Sequence, residues 1–292
     1  MTDTAKPGPK RGPKRESPTA ARNASALLLN PLDPHHIVGV EEVALPDGAP
    51  AISARVSFDG GASWRESWPL PLEAEWAGVV GPVLATDARG TMHLACLALD
   101  PERTRAFLVV YRSEDGGIHW ARPAVVLEGA AECCYAMATD LNAASPFRGG
   151  VYLVADMGNT MCFARSTDGL SWSGSGNSEP GPLLSVPCFN PEVLVDASGA
   201  VHLVWMAGAS GSRILTVDSE DGGQTFSAPV TVAEGVVCVQ EGFRKRRRPP
   251  ASPRMAWRYA CGPTTAKAAP GFTAAARWTA AGPGKVPPPE SL

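Results

Sequence analysis

What is scarce in this chain narrows it first. No apolar run reaches the ~20 residues that a bilayer-spanning helix requires; the best stretch near the N-terminus, residues 24–29, is far shorter. Met1 is followed by a Lys/Pro/Gly stretch with no apolar h-region, so no secretory signal is read as written and the compartment stays open. Seven cysteines among 292 residues are too few and too irregular for a disulfide framework, and none form a CxxC pair at zinc spacing. Cys133 and Cys134 are adjacent, which suits neither a disulfide nor a tetrahedral site, so the thiols read as reduced, buried small hydrophobes. Histidines number five, and His35, His36 and His119 lack metal spacing. The residues therefore predict no metal centre and no cofactor. A formal net charge of −3 argues against nucleic acid or an anionic membrane as the partner.

Turn-formers are abundant instead, with 30 glycines and 28 prolines. Residues 1–29 open on a basic Pro/Gly-rich stretch nearly free of large apolar groups. Such a segment cannot offset the entropy of ordering and is expected to be disordered. From residue 36, short apolar runs are separated by Gly, Pro, Asp and Ser clusters, which is how an all-β repeat reads.

Four segments then match one template. SFDGGASW holds Ser57, Asp59, Gly61 and Trp64, and SEDGGIHW holds Ser113, Asp115, Gly117 and Trp120. STDGLSW holds Ser166, Asp168, Gly169 and Trp172, and SEDGGQTF holds Ser219, Asp221, Gly223 and Phe226. Their serines are spaced by 56, 53 and 53 residues, a blade-sized period. Between the boxes a second signal repeats: an apolar run, an aspartate (Asp87, Asp140, Asp196), a turn and another apolar run. A third run leads into each box and a fourth follows it. Four antiparallel strands per unit of about fifty residues is the unit of a β-propeller.

The box residues have a local physical logic. Each aspartate sits where its carboxylate can accept N–H bonds across a tight turn, the glycines permit positive φ, and the closing aromatic can cover the turn. These residues resemble the Asp-box, or bacterial neuraminidase repeat, of sialidase-like propellers, over residues 30–242. That resemblance implies a six-bladed propeller whose boxes lie at the blade periphery, away from the substrate pocket, so the four box aspartates are expected to be structural. It also implies, for an active sialidase, an Arg-Ile-Pro motif, an arginine cluster gripping the substrate carboxylate bidentately, an Asp acid/base and a Tyr nucleophile assisted by Glu. No Arg-Ile-Pro occurs here. Arg55, Arg112 and Arg165 each precede a box at a repeated position and read as structural or surface groups.

A pocket is expected where the loops leading into each blade's innermost strand converge on one mouth of the channel. Those loops carry Glu73, Glu75 and Trp76; Glu132 and Tyr135; Phe189, Asn190 and Glu192; and Gln240 and Glu241. The pocket candidates are thus Trp76, Glu132, Tyr135, Asn190, Glu192 and Glu241, with Tyr135 the one tyrosine in such a loop and Glu192 its carboxylate partner. Carboxylates, an amide and aromatics in a concavity suit a sugar, and glycosidase-type acid/base pairing is available in principle. A solvated rim of loop residues is the plain alternative. Three functions stay open: a glycan-binding or scaffold propeller without sialidase activity, an exo-α-sialidase-type glycoside hydrolase, and a protein-interaction propeller. Oligomeric state is not legible.

Residues 243–292 lose all alternation and turn into RKRRRPPASPR and an Ala/Pro/Gly/Thr mixture. A basic tail is one reading; a change of translational frame is the other. Read two bases on, the codons for Trp278 and Thr279 must contain GAC, an aspartate, and with G or C at most third positions a fifth box appears. Its serine falls near position 276, one period beyond Ser219. The four blades are then an incomplete, truncated ring.

Overall fold

The computed structural model describes residues 25–66, 69–130, 134–157, 160–176, 178–186, 188–207 and 213–235. The expected disordered stretch up to residue 24 and the tail from residue 243 lie outside them. Among the described residues the chain forms sixteen strands in four antiparallel sheets of four. The first blade holds β1 (Ser25–Leu29), β2 (Ile37–Ala44), β3 (Pro50–Ser57) and β4 (Arg65–Glu66); the second holds β5 (Gly78–Thr86), β6 (Met92–Leu99), β7 (Arg105–Ser113) and β8 (Ala124–Ala130). The third holds β9 (Tyr135–Thr139), β10 (Val151–Asp156), β11 (Met161–Ser166) and β12 (Gly181–Leu184); the fourth holds β13 (Phe189–Val195), β14 (Val201–Ala207), β15 (Arg213–Ser219) and β16 (Val230–Glu234). In every blade the strands pair in chain order. One boundary moves: residues 25–29, expected in the disordered segment, supply the first blade's inner strand, because SALLL pairs in register with β2 from Ser25–Glu41 to Leu29–Ile37.

Burial follows the position of each blade in the stack. β6, MHLACLAL, is buried at all eight positions, since a blade lies against each of its faces and a strand covered on both sides needs no polar alternation. β2 in the first blade alternates, with Val38 and Val40 buried between partly exposed neighbours, because only one of its faces is covered. Three apolar cores result, one per junction. Val38, Ile52, Met92, Leu94 and Tyr111 join blades one and two; Leu97, Leu108, Val151 and Leu153 join two and three; Phe163, Leu203, Trp205 and Val217 join three and four. Each such side chain contributes about 1.5–3 kcal/mol by leaving water. The inner strands touch in sequence, β1 to β5, β5 to β9 and β9 to β13, and so curve around one axis.

Both ends of the stack present apolar surface. On β1, Ala26 and Leu28 pack into the first junction while Leu27, 72% exposed, and Leu29 point the other way. On β13, Val193 packs into the last junction while Leu194 is 56% exposed, with Val230 of β16 also open to solvent. The cysteines among the described residues carry no disulfide: Cys96, Cys162 and Cys188 are buried and Cys134 is half-buried. Burial pushes the Cys188 thiol up to about 12.

Candidate functional site

An antiparallel meander has two ends, and they differ in kind. One end carries the turns from each inner strand to the second and the boxes from third strand to fourth. The other carries the loops that lead into the inner strands, the mouth named by the sequence.

Trp76 lies ahead of β5, half-buried against the core between blades one and two, with its N–H donating to Glu73 O at 3.1 Å. Glu73 in turn lies 3.6 Å from the Arg122 guanidinium, and Glu75 is exposed. Tyr135 packs against the core between blades two and three, and its hydroxyl donates to the Gly81 carbonyl on β5. The Gly81 N–H donates to Glu42 Oε1 at 2.7 Å. Glu42, Gly81 and Tyr135 therefore link three consecutive blades through one residue. Glu42 was not among the expected site residues, although a Glu41-Glu42 pair interrupting an apolar strand is a legible signal; Glu41 itself lies 3.3 Å from Arg55.

A bulge positions the fourth blade's candidates. The register of β13 against β14 shifts between Phe189 and Glu192, and Asn190 takes a φ of 48° just ahead of Pro191. β5 repeats the device: its register shifts between Val80 and Val83, with Gly81 at φ 70° ahead of Pro82. Glu192 thus occupies the position of Val83, which packs under the following blade. Beyond the bulge Glu192 pairs with Val204 and Val193 with Leu203. Glu192 therefore shares the outward face of blade four with Leu194, opposite Val193. It is exposed, and partial desolvation raises its carboxyl above the usual glutamate value. Tyr135 faces blade two and Glu192 faces away from blade three, so the two expected partners stand on opposite sides of the stack. Glu132 and Glu241, with Gln240, lie outside the described residues.

No protein-family model matches the sequence, and no curated protein matches it. Solved structures do match. An α-L-arabinanase from Penicillium chrysogenum superposes with a TM-score of 0.54 at 15% identity, over 73% of this chain and 67% of that one. The α-L-arabinofuranosidase Arb93A of Fusarium graminearum gives 0.51 at 16% identity, over 73% and 66%. The NanB sialidase of Streptococcus pneumoniae gives 0.49 at 9% identity, over 72% of this chain and 51% of that one. The likeness is one of fold. The chain spans about two thirds of the arabinanase and of the arabinofuranosidase and half of the sialidase.

At the opposite end the four boxes close alike. Ser113 Oγ donates to Asp115 Oδ1 at 2.9 Å and accepts the Gly117 N–H at 2.8 Å, while Asp115 Oδ1 accepts the N–H groups of Ile118 and His119. The other three repeat this with Ser57 and Asp59, Ser166 and Asp168, and Ser219 and Asp221. The closing indole of Trp120 is 9% exposed and donates to Gly117 O. Trp64 makes the same bond to Gly61 O but stays 44% exposed, because among the described residues no blade precedes it.

A second repeat went unread in the sequence. His36, which lacks metal spacing in the sequence, is buried, with Asn30 on Nδ1 at 3.0 Å and Gly116 O on Nε2 at 2.8 Å. Asp87 with His93 and Asp196 with His202 recur at the same six-residue separation. The box glycines of the next blade sit on these turns: a methyl group at Gly116 would lie 2.9 Å from His36, and one at Gly169 would meet His93. Of the repeated arginines, Arg112 pairs with Glu114 at 2.6 Å, whereas Arg165 donates to three carbonyls, Gly174, Gly176 and Gly222.

Proposed function

We propose that this chain is a sialidase-like Asp-box propeller that binds glycan, or serves as a scaffold, without sialidase activity in its present form. The observation that supports this reading is the disposition of Tyr135. Its hydroxyl proton is held on the Gly81 carbonyl, and its expected carboxylate partner, Glu192, faces out from the far side of blade four. Retaining hydrolysis through a tyrosine nucleophile needs that hydroxyl deprotonated and aligned with an acid/base and a cationic grip. The loop into β5, with Glu73, Glu75 and Trp76, offers carboxylates and an aromatic ring that suit sugar hydroxyls without any covalent step. The box chemistry agrees with a role in closing turns.

The test pairs turnover with binding. Purified protein is assayed with a fluorogenic sialoside and a fluorogenic arabinofuranoside, and in parallel on a glycan array. The expected result is no hydrolysis above background, with saturable binding of at least one glycan class that Trp76→Ala weakens. Sustained turnover abolished by Tyr135→Phe or Glu192→Gln would overturn the proposal in favour of a glycoside hydrolase.

A further inference from the structure

The third blade departs from its neighbours twice, and both departures line one cleft. Its turn between β9 and β10 runs from Asp140 to Gly150, longer than the corresponding Asp87–Thr91 and Asp196–Ala200 turns. That loop is tightly tied: Gly149 N–H donates to Asp140 O at 2.8 Å, Asn142 N–H to Asp140 Oδ1 at 2.9 Å, and Phe147 N–H to Ser145 Oγ at 3.0 Å, with Ser145 Oγ on Asp140 Oδ2. Its far side carries Phe147 against the fourth box, where a methyl group at Gly222 would lie 2.6 Å from the ring, and next to it the exposed Arg148. The second departure is in the box itself. STDGLSW is one residue shorter than its counterparts, and the Trp172 indole N–H has no acceptor among the described residues, unlike those of Trp64 and Trp120.

Between loop and box lies a cavity of about 420 Å³ lined by Phe147, Arg148, Tyr152, Arg165, Ser171 and Trp172. A smaller one of about 170 Å³ adjoins it through Arg148 and Thr167 and reaches Arg89. The larger volume is that of a small-molecule pocket. The charged side chains that line it are arginines, although Arg89 is paired with Asp87 at 2.9 Å and the Asp140 carboxylate acts on Tyr152. Arg165 is held against three carbonyls and meets no carboxylate among the described residues, so its charge supplies a field while three of its five N–H donors are used. Arg148 has no acceptor on its guanidinium among the described residues, and its planar fork is free for a bidentate anion. Aromatic walls and the exposed Ser171 hydroxyl add what a sugar ring and its substituents need.

We infer that this cleft, on the box-bearing end of blade three, is a binding site for an anionic saccharide unit, with Arg148 gripping the carboxylate and the Trp172 ring supplying a wall. It is separate from the mouth of the channel and stands whether or not a glycan binds there. The test is isothermal titration of the full chain at low salt with methyl β-D-glucuronide, methyl β-D-glucoside and sodium sulfate. The glucuronide should bind saturably, the glucoside at least tenfold more weakly, and inorganic sulfate more weakly than the glucuronide. Arg148→Ala, at an exposed position that leaves the fold intact, should cost at least tenfold. Trp172→Phe, which shortens the aromatic wall, should cost several-fold. No saturable glucuronide binding, equal affinity for the glucoside or for free sulfate, or indifference to Arg148→Ala would each overturn the inference.

Discussion

At the scale of single residues, a carboxylate that accepts two N–H groups and a hydroxyl within one turn does the work of several backbone partners. In Asp115 the loss of hydration on burial opposes ionisation, but the His119 N–H and side chain and the Ser113 hydroxyl outweigh it and hold the carboxyl below its usual value. Asp115→Ala leaves those turn N–H groups without acceptors and should destabilise the protein by about 1–3 kcal/mol. Chemical denaturation measures it, and ligand affinity in the folded fraction should not move. The same geometry sets a pH dependence. The Ser63 hydroxyl holds Asp59 at about 2, the Ser198 hydroxyl holds Asp196 at about 2, and Asp221 sits at about 2 because the Thr225 hydroxyl outweighs desolvation. A carboxyl lowered in the folded state stabilises it fully above its unfolded value, about 3.9, and that contribution is lost as pH falls through the folded value. Melting temperature should therefore decline between about pH 4 and pH 2, and less steeply when Asp221→Asn removes one of the groups.

At the scale of elements, the box is both a turn and the contact by which one blade seats on the last. Gly90 and Gly223 both take positive φ, 85° and 82°, but a methyl group at Gly90 meets nothing within 4 Å while one at Gly223 lies 2.7 Å from Phe163. Gly90→Ala should cost only the backbone strain, about 1–2 kcal/mol. Gly223→Ala should cost about 1–3 kcal/mol more, as overpacking of a buried junction does. Equal losses in urea denaturation would show that the junction yields freely and that the close approach carries no stability.

At the scale of the whole molecule, the described residues form a stack with an apolar face at each end. Leu27 and Leu29 face out from the first blade and Leu194 and Val230 from the fourth, and contiguous apolar surface of this kind marks a place where protein is meant to pack. A head-to-tail pairing of the two ends is heterologous and does not close on itself, so the chain should associate progressively with concentration in analytical ultracentrifugation. Leu194→Lys with Val230→Lys should suppress it. The outward face of blade four also carries His202, with Asp218 at 2.8 Å and Asp196 at 3.4 Å. His36 and His93, at the equivalent positions, lie beneath a following box glycine. We propose that a fifth blade belongs there, encoded out of frame beyond residue 242; nucleotide sequence across codons 240–292 without a propeller-like frame would refute it.

The amino-acid sequence by itself determined the repeat, the four blades of the described residues, their strand order and the placing of the four box turns, because each depends on contacts within about fifty residues: an Asp to its own turn, a strand to the next. The glycines at the junctions were also legible, though only half their reason was, since positive φ is local and close approach to the preceding blade is not. Which way a side chain faces across a bulge was decided only in three dimensions. One extra residue at Asn190 sets Glu192 on the outward face, and the Tyr135 hydroxyl meets a carbonyl that lies 54 residues away. The orphaned Trp172 indole and the unpaired Arg148 were likewise invisible, because a missing partner is a property of the space around a group.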